Sequence, residues 1–421
     1  MLNTNAKKKC VGATILAAVL LCGAATAHAD VVLDWNRTML ATMTGSPFTS
    51  ARYAAITQLA VFEAVNAITG DHQPYLGTIT APAGASADAA AATAAHDVLL
   101  AYFPLKAAAL DAALVASLSA ILDGTAKDDG VAVGQAAAAA MIALRANDGS
   151  AVPPFTYTPP STDAGQWQAT PSCGAAAVGV NYHWQYVTPF ALPTVREFRA
   201  EVPPLLTSGA YAKAYNEVMT VGASDSVARS QDRADVARFY AGGMSPVAWA
   251  NIAAQQIAAL RNESVSGNAR AFALLNMALS DAAFAVFDSK YYYTAWRPET
   301  AIRNGALDGN AKTEANPAFS PFITAPCFPA YPSAHGTLSS AAAEVLQRLY
   351  GASGHDLTFS AASVPGIVLH YTAFKDIIAD ISDARVYGGI HFRFDQDGGE
   401  RQGERIGQYV FKNTLRPVYP E

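Results

Sequence analysis

From Ser50 to about Leu144 apolar residues recur at three- and four-residue spacing, as in Tyr53, Ile56, Leu59, Ala60 and the run Phe62 to Ala64, with alanine at many remaining positions. A period near 3.6 predicts packed helices. From 153 to 193 the pattern lapses into Pro, Thr, Gly and aromatic residues, which predicts a long irregular connection between two halves, wrapping the surface or packing over a site. The helical period returns over 209–223, 230–241, 246–262, 266–289, 334–350 and 363–385, separated by turns with Pro or Gly. Strand-like alternation is almost absent, and no repeat of solenoid type is evident. The expectation is an all-α fold of two helical bundles, with an N-terminal helical region over 30–180 and a C-terminal helical domain over 181–421.

With 421 residues, 51% hydrophobic and 15% charged, the chain can bury one large or two medium cores. Residues 1–29 read as a secretory signal: Lys7, Lys8 and Lys9 form a basic start, an apolar run extends from Val11 to Ala25, and Ala27-His28-Ala29 offers a cleavage site before Asp30. The alternative, a lipid anchor at Cys22, is disfavoured by the bulky Leu21 before it. Export to a periplasmic or secreted location is therefore expected. Removing this segment takes away three lysines and no acid, so the formal charge goes from −6 to −9, which argues against a nucleic-acid partner. No later stretch holds the roughly 18 unbroken apolar residues of a membrane span. The nearest, Val131 to Leu144, is interrupted by Gln135 and reads as a buried helix. Ala-rich helices of this kind pack equally well within a subunit or in a homo-oligomer. Two cysteines lie beyond the signal, Cys173 and Cys327; they either form one disulfide or are two separate buried thiols.

Three segments carry candidate chemistry. Lys290 and Arg297 are seven residues apart, so on a continuing helix they share a face, while Pro298 disfavours a helical Arg297 and fixes how its side chain departs. In Phe328-Pro-Ala-Tyr-Pro-Ser333-Ala334-His335-Gly-Thr a proline turn feeds a helix that Ser333 caps, leaving amides near Ala334 free to face an anion and His335 beside it. Arg385 and His391 are separated by Val-Tyr-Gly-Gly-Ile, whose glycines break the helix, and Asp395 is placed to orient a ring nitrogen. Each segment alone is weak evidence: the Lys290/Arg297 pair reads more readily as solvated surface charge, and Ser333 and His335 as a plain cap and a surface residue. Together, three cationic groups, a capping hydroxyl, helix amides and two histidines suit a tetrahedral oxyanion.

Lys290-x6-Arg297-Pro298, Pro332-Ser333-Ala334-His335 and Arg385-x5-His391 resemble, in that order, the three-part signature shared by vanadium-dependent haloperoxidases and type 2 phosphatidic acid phosphatases. The likeness runs from about Trp184 to about Gly407, including Pro189-Phe190, Phe198, Pro203-Pro204 and Asp225-Ser226 to Gln231, and is closest to the soluble bacterial haloperoxidases; 30–180 match only loosely. The resemblance implies vanadate as cofactor, with phosphate a competing isostere. It implies that His391 bonds vanadium axially and that His335 is the acid/base. Lys290, Arg297, Ser333, the Ala334 amide and Arg385 would hold the equatorial oxygens, Lys290 also polarising bound peroxide. Substrates would be hydrogen peroxide and halide, with room left for a small organic acceptor. Phe287 and Phe328 fall where such proteins place residues near the halide, though both also suit a plain core. Two departures stand out: Ala334 replaces the usual Gly, and Ala384 replaces the usual Ser before Arg385.

The nearest rival is an exported acid phosphatase on the same residues, with His391 attacking phosphorus and His335 protonating the leaving oxygen. A binder that merely captures an oxyanion fits less well, because it needs no acid/base beside the anion. His72, His96, His183, His355 and His370 show no metal-ligand spacing and read as packing or surface residues, with His183 a candidate to border the pocket.

Overall fold

The computed structural model describes residues 30–151, 156–261 and 263–418; the predicted leader, residues 1–29, lies outside them. Among the described residues thirteen helices and one two-stranded hairpin make an all-α architecture. An N-terminal group comprises α1 (Val31–Thr42), α2 (Pro47–Thr69), α3 (Ala87–Tyr102), α4 (Ala107–Ser119) and α5 (Thr125–Arg145). A C-terminal group comprises α6 (Gly209–Val221), α7 (Gln231–Arg238), α8 (Pro246–Arg261), α9 (Val265–Tyr293), α10 (Pro298–Arg303), α11 (Ala334–Tyr350), α12 (Phe374–Tyr387) and α13 (Arg393–Asn413).

The centre is α9, whose residues from Ala271 to Tyr291 are all buried. It alone among single helices of the described residues has the length and apolarity to cross a membrane, yet it is enclosed by protein. The run-based reading passed over it because Asn276, Ser280 and Asp281 interrupt its apolar residues. These find partners inside: Asp281 accepts from the amides of Phe190, Ala191 and Leu192, and Asn276 exchanges bonds with Asn251. On one side α2 packs along α9, so a single apolar core passes through both halves of the chain. On another lie α11 and α13.

The α11/α13 pair is pressed together by glycines. Gly399, Gly403 and Gly407 face the carbonyls of Ser333, Thr337 and Ala341, at the same four-residue step on both helices. A Cβ at Gly399 would meet the Ser333 carbonyl at 2.7 Å, so only glycine permits this approach. The start of α11 is thereby fixed against α13.

Three expectations need correction. The helix expected over 363–385 begins only at Phe374, because β1 (Ser353–Ser360) pairs antiparallel with β2 (Val368–Ala373). In β2 the exposed Val368, His370 and Thr372 alternate with Leu369, Tyr371 and Ala373, a period-two pattern of β-favouring residues. The helix expected to 241 ends at Arg238 and widens into a π-helical turn over Phe239–Gly243. The Val131 to Leu144 stretch buries one face rather than its whole circumference, leaving Leu144 half exposed.

Candidate active site

α9 stops at Tyr293 because Thr294 takes a left-handed conformation (φ 48°), and Arg297 is extended (φ −81°, ψ 153°) as the residue before α10. Lys290 and Arg297 therefore do not share a continuing helical face; a reversal of the chain aims them at one point. Ser333 caps α11, its Oγ accepting from the Gly336 amide at 3.2 Å. The Ala334 and His335 amides in that first turn lack intrahelical acceptors by helix geometry. Gly388 and Gly389 (φ 79°) end α12 and turn the chain so that Arg385, at the helix end, and His391, before α13, face one interior.

Lys290, Arg297, Ser333, Arg385, His391 and Asp395 are all buried, and His335 is half-buried. Arg297 donates through Nε to the Phe328 carbonyl (2.9 Å) and through Nη1 to the Ile390 carbonyl (3.0 Å) and His391 Nε2 (3.1 Å). Arg385 donates through Nη1 to the Tyr240 carbonyl (3.0 Å) and His335 Nε2 (3.1 Å). Each guanidinium thus holds one histidine, Arg297 together with two carbonyls and Arg385 with one, and each retains a buried donor without a partner: Nη2 of Arg297 and Nε of Arg385. An unsatisfied buried N–H costs about 1–3 kcal/mol, more when it belongs to a charged group. An oxyanion accepting from either donor would remove that donor's penalty. Lys290 differs: its ammonium donates to the carbonyls of Pro329 (2.8 Å), Ala330 (2.8 Å) and Pro332 (2.6 Å), so binding an anion there means exchanging one of these.

His391 Nδ1 lies 2.9 Å from Asp395 Oδ2, which also accepts from the Phe392 amide. With Nδ1–H donating to the carboxylate, the Nε2 lone pair accepts from Arg297, and a metal bound to that nitrogen would take this bond's place. Burial, then the charges of Arg297 and Lys290, hold the His391 imidazole well below its ordinary pKa; burial, then Arg385 and Lys290, do the same to His335. Burial and the surrounding cations thus favour the neutral form of both rings. Burial also lowers Arg297 to about 9 and Arg385 to about 10, which leaves both charged at neutral pH. Burial, assisted by the Arg297 charge, also holds Lys290 well below its ordinary value. The donor set, a ring nitrogen on one side and buried N–H groups around it, fits vanadate.

Phe328 lies under the cations, with Lys290 Nζ 5.1 Å and Arg297 Cζ 5.0 Å from its centroid. Phe287 sits behind it, edge-to-face at 5.4 Å and fully buried. Phe48 of α2 closes the group, 4.7 Å from Phe287 and 6.2 Å from Phe328. A cavity of about 510 Å³ reaches His335 between Leu40, Met43 and Ser50 of the N-terminal half and the turn Tyr240–Gly243. Sequence reasoning missed Phe48 and this turn; Pro47-Phe48 following the cap Ser46 is the only local signal for the former. His183 lines a separate cavity with Arg52, Tyr102 and Arg145, so it does not border this site. His96 bridges Asp97 and Asp111, and His355 and His370 bond near the hairpin. Cys173 and Cys327 are joined in a disulfide.

Fold and site together define an all-α protein with a buried pocket of cationic and histidine side chains, whose donors suit a tetrahedral oxyanion. Residues 270–419 match the family described as the VCPO second helical-bundle domain. Vanadium chloroperoxidase of Curvularia inaequalis is 27% identical over 173 residues, 30% of this chain; the match spans 28% of that protein's length. A bacterial vanadium-dependent iodoperoxidase superposes with a TM-score of 0.76 at 23% identity, covering 93% of this chain and 97% of the other. A holo bacterial vanadium-dependent chloroperoxidase gives 0.67 at 18%, covering 90% and 97%. The resemblance to vanadium haloperoxidases thus holds in sequence over the C-terminal helices and in fold over most of the chain.

Proposed function

We propose that this chain holds vanadate between Arg297, Arg385 and His391 and oxidises halide with hydrogen peroxide to hypohalous acid. The observation that carries the reading is the pair of buried guanidinium donors without a partner, Arg297 Nη2 and Arg385 Nε, on side chains that bond His391 and His335, with His391 oriented by Asp395. Bound vanadate supplies a Lewis acid that activates peroxide. His391 would ligate it through Nε2; Arg297 and Arg385 would bond its oxygens and neutralise their charge, with the Ser333 hydroxyl and the Ala334 amide at the start of α11. Lys290 would add a third cation, releasing a carbonyl of the 329–332 loop. His335 stands between Arg385 and the open cavity, where a neutral imidazole takes a proton from an incoming donor and returns it. Phe48, Phe287 and Phe328 keep water from one side of the site. Export through residues 1–29 belongs to the same proposal, and a disulfide is the bond expected in an oxidising compartment.

The test follows bromination of a phenolic dye by the metal-stripped protein with peroxide and bromide, with and without vanadate, beside hydrolysis of an aryl phosphate. Bromination that requires vanadate and is suppressed by phosphate is the expected result. Aryl-phosphate hydrolysis inhibited by vanadate, without oxidation of chloride, bromide or iodide, would replace the proposal with a phosphatase.

A further inference from the structure

The cavity of about 510 Å³ at His335 is walled by aliphatic side chains such as Leu40 and Val247, by glycines of the Tyr240–Gly243 turn, and by two methionines, Met43 and Met244. Among the described residues no lysine or cysteine lines it, so the thioethers are its softest nucleophiles. Met43 directly follows α1 in an extended conformation (φ −66°, ψ 129°) and is half-buried against the apolar core. Met244 ends the π-helical turn and is 4% exposed. Elsewhere among the described residues Met39, Met141 and Met277 are fully buried. Met219 of α6 is half-buried like Met43, yet it packs on a separate apolar cluster and has no place in this lining. Met43 is thus the one half-buried thioether, among the described residues, on the cavity that His335 faces.

Hypohalous acid formed beside His335 meets this wall before it reaches solvent. We infer, resting on the halide oxidation proposed above, that Met43 is a modification site whose thioether the departing hypohalous acid converts to the sulfoxide, and that this oxidation limits how long the enzyme turns over. The sulfur lone pair attacks the halogen and hydroxide leaves. Water then adds to the halosulfonium sulfur, halide departs with the bonding electrons, and two protons are released, one of which neutralises the hydroxide. Sulfur loses two electrons and the halogen gains them. A sulfoxide is polar and chiral where the thioether was flexible and apolar, so it fits poorly against the apolar neighbours of Met43 and changes the cavity wall. The change is reversible, since methionine sulfoxide reductases return the thioether. Met244, more deeply buried, is modified later.

Peptide mass mapping of the full chain after turnover with vanadate, peroxide and bromide tests this, with peroxide consumption followed in the same sample. An unrelated methionine-rich protein, too large for the cavity, is added in excess to consume oxidant that has left it. The expected result is sulfoxide accumulating at Met43 in step with bromide-dependent peroxide consumption while Met219 stays reduced. Hypobromous acid added directly to the vanadate-free chain, without the competing protein, should oxidise Met43 and Met219 alike, since both are half-buried. Met43→Leu, a volume-conserving change, should lose activity more slowly per peroxide consumed than the parent, each measured against its own initial rate. Absence of bromide-dependent peroxide consumption would overturn the halide reading and the inference together. Where that consumption is present, four results would overturn the inference alone: Met43 unmodified, Met43 and Met219 oxidised equally despite the competing protein, the same sulfoxide from peroxide without bromide, or a variant inactivated as fast as the parent.

Discussion

The two histidines of the site differ in what holds the ring, and their variants should differ accordingly. His391 is fixed through Nδ1 by Asp395, so Asp395→Asn should leave the fold intact but lower vanadate affinity by about 10–100-fold, the usual effect of losing a carboxylate behind a ligating histidine. Equilibrium dialysis measures it, and unchanged retention would remove Asp395 from the assignment. His335 opens to the cavity and touches Arg385, so His335→Ala should retain vanadate while halide turnover falls by about 10²–10⁴. Equal loss of binding would make His335 a ligand rather than an acid/base. Every cationic and histidine side chain that meets at the site was legible, because such groups at these spacings stand out against an apolar chain. Their acceptors were not. The carbonyls of Tyr240, Phe328, Pro329, Ala330, Pro332 and Ile390 aim the cations, and a backbone carbonyl leaves no mark on residue identity.

Helix periods were legible where one face meets a core and failed where short strands intervene, as at β2, whose alternation covers only Val368–Ala373. The close approach of α13 to α11 is written in Gly399, Gly403 and Gly407, yet it becomes readable only when the partner helix is known. A Cβ at Gly403 would overlap the Thr337 carbonyl, so Gly403→Ala should push the helices apart, cost about 1–3 kcal/mol in urea unfolding, and weaken vanadate retention by displacing Ser333 and Ala334. A different dependence belongs to α4, which buries only Leu110 and is tied to α3 by His96 reaching Asp111. The bond to Asp97, opposed by burial and aided by Asp111, raises the His96 pKa. A raised imidazole pKa stabilises the folded form fully below the free value of about 6.5 and loses that contribution as pH rises through the folded value. Amide exchange in α4 should therefore quicken, relative to the intrinsic rate, as pH rises above about 6.5 and through the folded value. In His96→Gln this pH dependence should vanish.

Across the whole molecule, distant segments meet at the site without any local pattern to announce it. Phe48 and the cavity wall at Leu40 and Met43 come from the half whose sequence matches the family only loosely, and they reach the site because α2, which carries Phe48, lies along α9, and α1, which carries Leu40, packs on α8 and α9. The disulfide is the other long-range tie. Cys173 and Cys327 are 154 residues apart, and beside the bond the Val180 amide donates to the Cys327 carbonyl (2.9 Å). Cys327 opens the loop whose carbonyls hold Arg297 and Lys290. Closing so long a loop restricts the unfolded chain, and its loss should cost about 2–4 kcal/mol. The double variant Cys173→Ser/Cys327→Ser should therefore melt several degrees lower than the parent, and reductant should lower the parent alone. If the loop also aims the cations, vanadate should raise the variant's Tm less than the parent's at equal concentration, since ligand stabilisation follows affinity. An equal rise in both would mean that the disulfide holds the fold but not the site, and that carbonyls of Phe328 to Pro332 are kept in place by packing against α9 and α13 without it.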